Sequence, residues 1–419
     1  MRTARTEMLN RRPTLKMLLA GWFATIAPAV FAQQATSLRR VPKNPPVWTS
    51  FGLNGSPNHP RFALTRGFIE KTNPGRPISD SEAFGFMRKK IVPLLQAQRP
   101  VLVQFKDQIA FGEDLVLGFA HDFEIAVGAR MMKNGENLNT LVVFMSGVGL
   151  VMSLDNVKVG WRIVSSFPFK LRVERAGEDL KDVKELALKH YDECYSEYAG
   201  AFASFVSRFN KWDQGYSSNI FARLTKVDFH KDAKSKLINY GVDKYFDDQF
   251  VGFLASTLIC DNLSIPLLPF KETDASFKYA ALFKDSLKAQ DKINIPKADL
   301  RFEIIVRDIE KTLIPSRQSG VTIIRRKLVL NFQAFDDDEN ILKTFTIMED
   351  EDAIPFGSTE DDTPDRDLIF YERLLSATLI NLFSGIIEKN PKTLAKVSVK
   401  LDYLMPMITR FIELCSKVR

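Results

Sequence analysis

Between Pro100 and Glu174 the chain is written almost entirely in β-forming residues, and this constrains its fold more than anything else in it. "DLVLGFA", "DFEIAVGARM", "LVVFMSGVGLVMSLD" and "VGWRIVSSFPFKLRV" are rich in branched and aromatic side chains. The turn-like stretches "KNGEN" and "DN" separate them, which predicts consecutive antiparallel strands. The same grammar returns as "ADLRFEIIVRDIEK", "GVTIIRRKLVLNFQAFD" and "ILKTFTIM", the last two joined by "DDDEN" as a hairpin turn. Around the strands the pattern changes to helical spacing. Residues 178–210 place Val183, Ala187, Tyr191, Cys194, Tyr198, Phe202, Phe205 and Phe209 on one stripe, which predicts one long amphipathic helix. "YFDDQFVGFLASTLI", "DASFKYAALFKDSLKAQ" and "DLIFYERLLSATLINLFSGIIEK" read as further helices, and Pro391 and Pro406 are expected to break up the C-terminal helical segment.

The expected class is α+β: two mixed αβ domains with mainly antiparallel sheets, each packed by long helices, with an internal duplication as one reading. "DFEIAVGARM" echoes "RFEIIVRDIE", and each half continues to further strands, a Pro-Phe pair (Pro168-Phe169, Pro355-Phe356) and a helix. The boundaries read are 1–32 for an export signal, 33–80 for an extended lead-in and 81–210 for the first domain. A linker over 211–245, a second domain over 246–390 and a helical segment over 391–419 complete the division. The acidic stretch 349–367 reads as a solvated loop.

The first 32 residues carry the compartment. Arg2, Arg5, Arg11, Arg12 and Lys16 stand against one acid, Glu7. An apolar run from Met17 to Phe31 follows and closes on Val30-Phe31-Ala32. This is the composition of a cleaved export signal, with a mature chain starting near Gln33 and working in the periplasm or outside the cell. "NRRPTLK" resembles the twin-arginine export signature, leaving the twin-arginine and general routes both open. No later apolar run reaches spanning length, so no transmembrane span is expected after cleavage.

Charge and cysteine content narrow the partners. The whole chain has 58 basic and 51 acidic residues; without the first 32 residues the balance is 53 against 50, or +3. Phosphate binding needs clustered cations, so nucleic acid is not an expected partner. Cys194, Cys260 and Cys415 are too far apart for a zinc knuckle, and their pairing cannot be read from sequence.

The chemistry-bearing residues are few. Of the four histidines (His59, His121, His190, His230), none sits in a zinc-protease pattern. His121, Asp122 and Glu124 gather titratable groups at a strand start, where His121 and a carboxylate could transfer protons, but alternation puts Asp122 and Glu124 on one face, opposite His121. His190 and Cys194 stand four apart on one helix face as candidate metal ligands. Asp336, Asp338 and Asn340 have the spacing that opens a calcium loop, without the Gly at position six or the Glu at twelve. Gly147-Val148-Gly149 lies inside a β run and reads as a turn or close strand packing. No cofactor is expected.

"SIPLLPF", a helix, "ADLRFEIIVRDI" and "RRKLVLNFQAFDDDENIL" together resemble the pattern of envelope assembly proteins, over about residues 260–350. Those families include the curli secretion component and the lipoprotein activators of penicillin-binding proteins. The chain departs from that pattern in lacking a lipidated N-terminal Cys and a Gly in the final turn, so an outer-membrane anchor is not carried over. The resemblance implies binding or assembly without catalysis, with other envelope proteins as partners. The alternatives are an exported hydrolase using His121, Asp122, Glu124 and His190, and a carrier holding an apolar ligand with Tyr198, Phe202 and Phe205.

Overall fold

The computed structural model describes residues 47–53, 60–72, 104–105, 115–133, 136–156, 160–194, 220–270, 293–316, 320–337, 339–358, 361–397 and 401–418. The strands are β1 (Val47–Leu53), β2 (Gln104–Phe105), β3 (Leu115–Lys133), β4 (Glu136–Asn156), β5 (Gly160–Ala176), β6 (Ala222–Phe229), β7 (Ile293–Asn294), β8 (Leu300–Ser316), β9 (Val321–Asp336) and β10 (Glu339–Pro355). The helices are α1 (Ala63–Thr72), α2 (Val183–Lys189), α3 (Tyr191–Cys194), α4 (Lys231–Tyr240), α5 (Asp248–Leu263), α6 (Pro364–Ile387), α7 (Pro391–Ala395) and α8 (Leu401–Val418). The fold is α+β, as its strand and helix grammar predicts. Among the described residues no helix is long and apolar enough to cross a membrane.

Two sheets are built by one plan. The first has the order β2-β1-β3-β4-β5-β7, the second β10-β9-β8-β6. In each, a leading strand runs parallel to the first strand of a three-stranded antiparallel meander: β1 beside β3, β6 beside β8. The irregularities match as well. The parallel ladders slip between Trp48 and Ser50 and between Leu224 and Lys226. The meanders bulge at Asp122 in β3 and at Arg307 in β8, each the eighth residue of its strand. Even the short outer strand has a counterpart, since β2 pairs with β1 where Leu268 bridges Arg223 of β6.

The register assigns the faces. Phe123 pairs with Ser146, Ser146 with Lys170 and Phe144 with Arg172, so these five share one face of the first sheet. Phe250 of α5 packs there, its ring 5.5 Å from Phe123 and 5.8 Å from Phe144, and Glu372 of α6 ion-pairs with Lys170 at 3.3 Å. The opposite face, with Glu124, Gly147 and Phe169, lies against α1 to α3. On the second sheet Phe302 stacks on Phe332, which meets Phe383 of α6 edge-on at 5.2 Å, while Phe411 of α8 closes on Phe302. Helices α5 and α6 therefore lie between the two sheets. One continuous apolar cluster runs from Phe123 through Phe250, Leu375 and Phe332 to Phe411. Residues 265–270 tie the sheets along one side: Leu267 N–H donates to Ser166 O at 3.1 Å and Leu268 N–H to Ala222 O at 2.7 Å.

Several elements differ from the sequence reading. Residues 47–72, expected in an extended lead-in, form β1 and α1. The expected linker 211–245, read with a short helix or two, carries strand β6 ahead of its helix α4. The long helix over 178–210 is a 3-10 turn followed by α2 and α3, with a break at His190; residues 195–210 lie outside those described. The acidic stretch is a loop only in part: Glu349–Pro355 is the end of β10 and Pro364 opens α6, with turn and coil at 356–358 and 361–363. Pro406 sits inside α8, so only Pro391, at the first position of α7, marks a helix boundary. The helix read over 274–290 lies outside the described residues. Gly147 serves close packing within β4, since a Cβ there would lie 2.5 Å from both Ala120 O and the Phe169 ring. Cys260 and Cys415 are buried thiols.

Candidate functional site

The bulge at Asp122 corrects the reading of the His121 group. One extra residue between His121 and Phe123 inverts the alternation, so His121 and Glu124 share a face. His121 Nε2 lies 3.3 Å from Glu124 Oε2, and both side chains are almost fully enclosed. Asp122, at the bulge, is also buried.

Glu124 is occupied by the start of α1. Thr65 N–H donates to Oε1 at 2.5 Å and Thr65 Oγ–H to Oε2 at 3.0 Å; the same Oγ is 2.7 Å from Tyr191 Oη on α3. Thr65 is the third residue of α1, and its amide is one of the four that a helix start leaves without an internal acceptor. Glu124, 59 positions away, thus caps α1 from the sheet, and its negative charge suits the positive end of the helix. The Phe62 ring, 5.9 Å from that of His121, covers the group. Chemically this is a carboxylate with a histidine beside it and a hydroxyl on the carboxylate. A nucleophile–base relay needs the hydroxyl on the histidine and a path for substrate, and neither is arranged here.

The other sequence candidates lie apart. His190 is at the α2–α3 break, with Nε2 at 3.0 Å from Glu178 and Nδ1 at 3.4 Å from Glu193, away from the His121 group although Tyr191 joins it. Burial would raise the Glu193 carboxyl, but hydrogen bonds from Arg175 and His190 outweigh it and hold it below its ordinary range. Cys194 ends α3, its side chain outside the described residues, as are Tyr198, Phe202 and Phe205. Asp336 ends β9 and meets Arg410 at 3.4 Å. Among the described residues no group of three or more His, Cys, Asp or Glu is placed to hold a metal ion. A shallow cleft with room for only about 10 Å³ is lined by Phe123, Phe144, Phe250, Leu254, Lys170 and Glu372.

A second charged group, missed by motif reading, sits where α6 meets the second sheet. Arg326 of β9, fully buried, donates through Nε to Asp367 Oδ1 at 2.7 Å, its guanidinium 4.4 Å from the Phe370 ring. Lys311 of β8 donates to Asp367 Oδ2 at 2.7 Å and also pairs with Asp362. Arg366, also fully buried, donates to Asp352 at 2.6 Å, to Asp361 O at 3.2 Å and to Arg130 O of β3 at 2.5 Å. Gly128 N–H of β3 donates to Asp365 Oδ2 at 3.4 Å. The acidic stretch therefore supplies counter-charges for buried cations, and α6 is held to both sheets through them. The one signal in sequence was the density of acids close after "IIRRK", which the fold pairs on the neighbouring strand.

Burial pushes the Asp365 carboxyl above its ordinary range, against the pull of the Gly128 amide and Lys244. A raised carboxyl binds its proton more tightly folded than unfolded, so its contribution opposes folding increasingly as pH climbs from the ordinary carboxylate range through the raised value. Asp365→Asn keeps an acceptor for Gly128 and removes the ionisation. Urea titrations across that window are expected to show a flatter loss of stability with rising pH than the parent; an identical slope rules the assignment out.

No protein-family model matches this chain, and no curated protein matches its sequence.

Proposed function

We propose that this chain is an exported cell-envelope protein that acts through contacts with other proteins and carries out no catalysis, built from two copies of one αβ unit. The observation that carries the non-catalytic reading is the use made of Glu124. The one place among the described residues where candidate catalytic groups converge is sealed, and both carboxylate oxygens hold the start of α1. The matched parallel ladders and bulges of β1–β3–β4 and β6–β8–β9 support the two copies. Export rests on the basic and apolar N-terminus, and the assembly role on the likeness of residues 260–350 to envelope assembly proteins. Ile380 and Ile387, seven apart on one face of α6, are 42% and 45% exposed and give a contact stripe on an otherwise buried helix.

Fractionation of the native host tests this reading. The mature chain is expected in the envelope fraction with its N-terminus near Gln33. A photo-crosslinking residue at 380 should capture a discrete partner that Ile387→Glu loses. Recovery from the cytosol with Met1 attached overturns the reading, as does a hydrolytic activity abolished by His121→Ala.

A further inference from the structure

The exposed stripe of α6 has two definite ends. Towards its N-terminus the helix is covered by the first sheet: Arg366 donates to Arg130 O of β3, and Glu372 pairs with Lys170 of β5. From Arg373 onward one face is exposed, and it runs to Glu388, where the helix closes. The Arg373 side chain is 35% exposed and Glu388 is exposed, with Ile380 and Ile387 between them. Arg373, Ile380 and Ile387 recur every seven residues and so keep to one face. Ala377 and Ser384, both half-buried, stand about one turn to either side of Ile380.

The charges at the two ends of this face are opposite. Arg373 and Glu388 lie about 22 Å apart along the axis, at about 1.5 Å per residue. The point midway between them falls between Ile380 and Asn381. A two-fold axis through that point maps the face onto itself in reverse. It sets Arg373 opposite the partner's Glu388, once at each end, and Ala377 opposite the partner's Ser384. Ile380 then lies over small side chains, which let two helices approach to the short end of the usual range of about 8–10 Å. Arg373 also meets the C-terminal end of the opposing helix, where a cation is favoured. Because α6 ends at Ile387, the incoming helix stops where the first sheet begins to cover its counterpart.

We propose that the partner of this stripe is a second copy of the chain, the two α6 helices packing antiparallel about a two-fold axis between Ile380 and Asn381. The stripe carries opposite charges at equal distances from its centre, and its exposed length equals the length it needs to pair with itself. Both end charges are loosely held within their own chain. Arg373 has Glu174 at 3.6 Å and the Phe370 ring at 5.3 Å, and the Glu388 side chain makes no hydrogen bond or ion pair among the described residues. One helix pair is at the small end of specific interfaces, so the dimer is weak and forms with rising concentration. The dimer rests on the reading of this stripe as a contact surface, and not on export of the chain or on the likeness of its two units.

Sedimentation velocity of the mature chain over a concentration series, together with photo-crosslinking at 380, tests the pairing. The parent is expected to pass from monomer to dimer as concentration rises, and the crosslinker to join two copies of the chain. Arg373→Glu and Glu388→Arg each set like charges face to face at both ends of the pair and should weaken the dimer by about tenfold or more. The double change Arg373→Glu, Glu388→Arg restores opposite charges and should restore the dimer, a rescue that requires antiparallel pairing of two copies. Glu388→Arg decides the matter if Arg373→Glu disturbs the Glu174 pair. A dimer that ignores the single changes, or that the double change does not rescue, overturns the proposal. So does a chain that stays monomeric while position 380 captures a different protein; the contact surface then stands and only the identity of its partner falls. Capture of nothing at 380, whether from the pure chain or from the envelope, removes both.

Discussion

Asp367→Ala is expected to lower the unfolding free energy by about 3–5 kcal/mol, the cost of leaving buried charge without its partner. Asp367 receives Arg326 on one oxygen and Lys311 on the other, and all three side chains are at or below 12% exposure. Without it Arg326 keeps only the Phe370 ring and a distant Asp352 carboxylate at 3.9 Å. The loss is not a property of the ion pair itself, because two charges taken out of water together roughly break even. Adding Arg326→Met to Asp367→Ala should therefore recover much of the lost stability, since the unpaired cation is then gone. Denaturant titrations of the two variants decide this. If the double change is no more stable than the single one, Arg326 is not the uncompensated charge.

Phe332→Ala should cost about 3–5 kcal/mol, the usual range for emptying a buried aromatic site. Phe332 is the middle of a ladder that joins the second sheet to two helices. It stacks on Phe302 at 5.8 Å, meets Phe383 of α6 at 5.2 Å, and Phe302 in turn touches Phe411 of α8. Its removal opens a cavity that strands on one side and a long helix on the other cannot both collapse into. Phe332→Leu, which fills most of the volume, should cost less than about 1.5 kcal/mol. A cost for Phe332→Ala near that of an exposed phenylalanine would mean that the ladder is not what joins sheet and helices. Because α5 and α6 are shared between the sheets, the loss should appear in a single unfolding transition reported equally by both halves of the chain.

The strands were the most readable part of this sequence. β3 to β5 and β8 to β10 stand where the branched and aromatic runs place them, because a pleated surface half in contact with helices selects those side chains whatever lies elsewhere in the chain. The bodies of α5 and α6 were readable for the same local reason, but their starts, read at Tyr245 and Asp367, lie at Asp248 and Pro364, where Asp247 and Thr363 accept from amides of the first turn. Over its described part, residues 178–194, the expected single helix is interrupted, because an apolar stripe at helical spacing does not reveal the break at His190, beyond which Tyr191 meets Thr65. The acidic stretch was misread because acids at high density look alike whether they face water or buried arginines.

The amino-acid order alone settled the α+β class, the course of the long strands and the existence of two similar runs of them, since each depends on neighbours a few positions apart. It named His121, Asp122 and Glu124 but assigned them the wrong geometry. Only tertiary structure decided that a bulge at Asp122 turns His121 and Glu124 to one side, that Thr65 from 59 positions away takes the carboxylate, and that Arg326 and Arg366 are the cations the acids serve. An extra residue in a ladder and a partner from a distant segment leave no periodic trace, because periodicity records only how a side chain is placed relative to its own backbone.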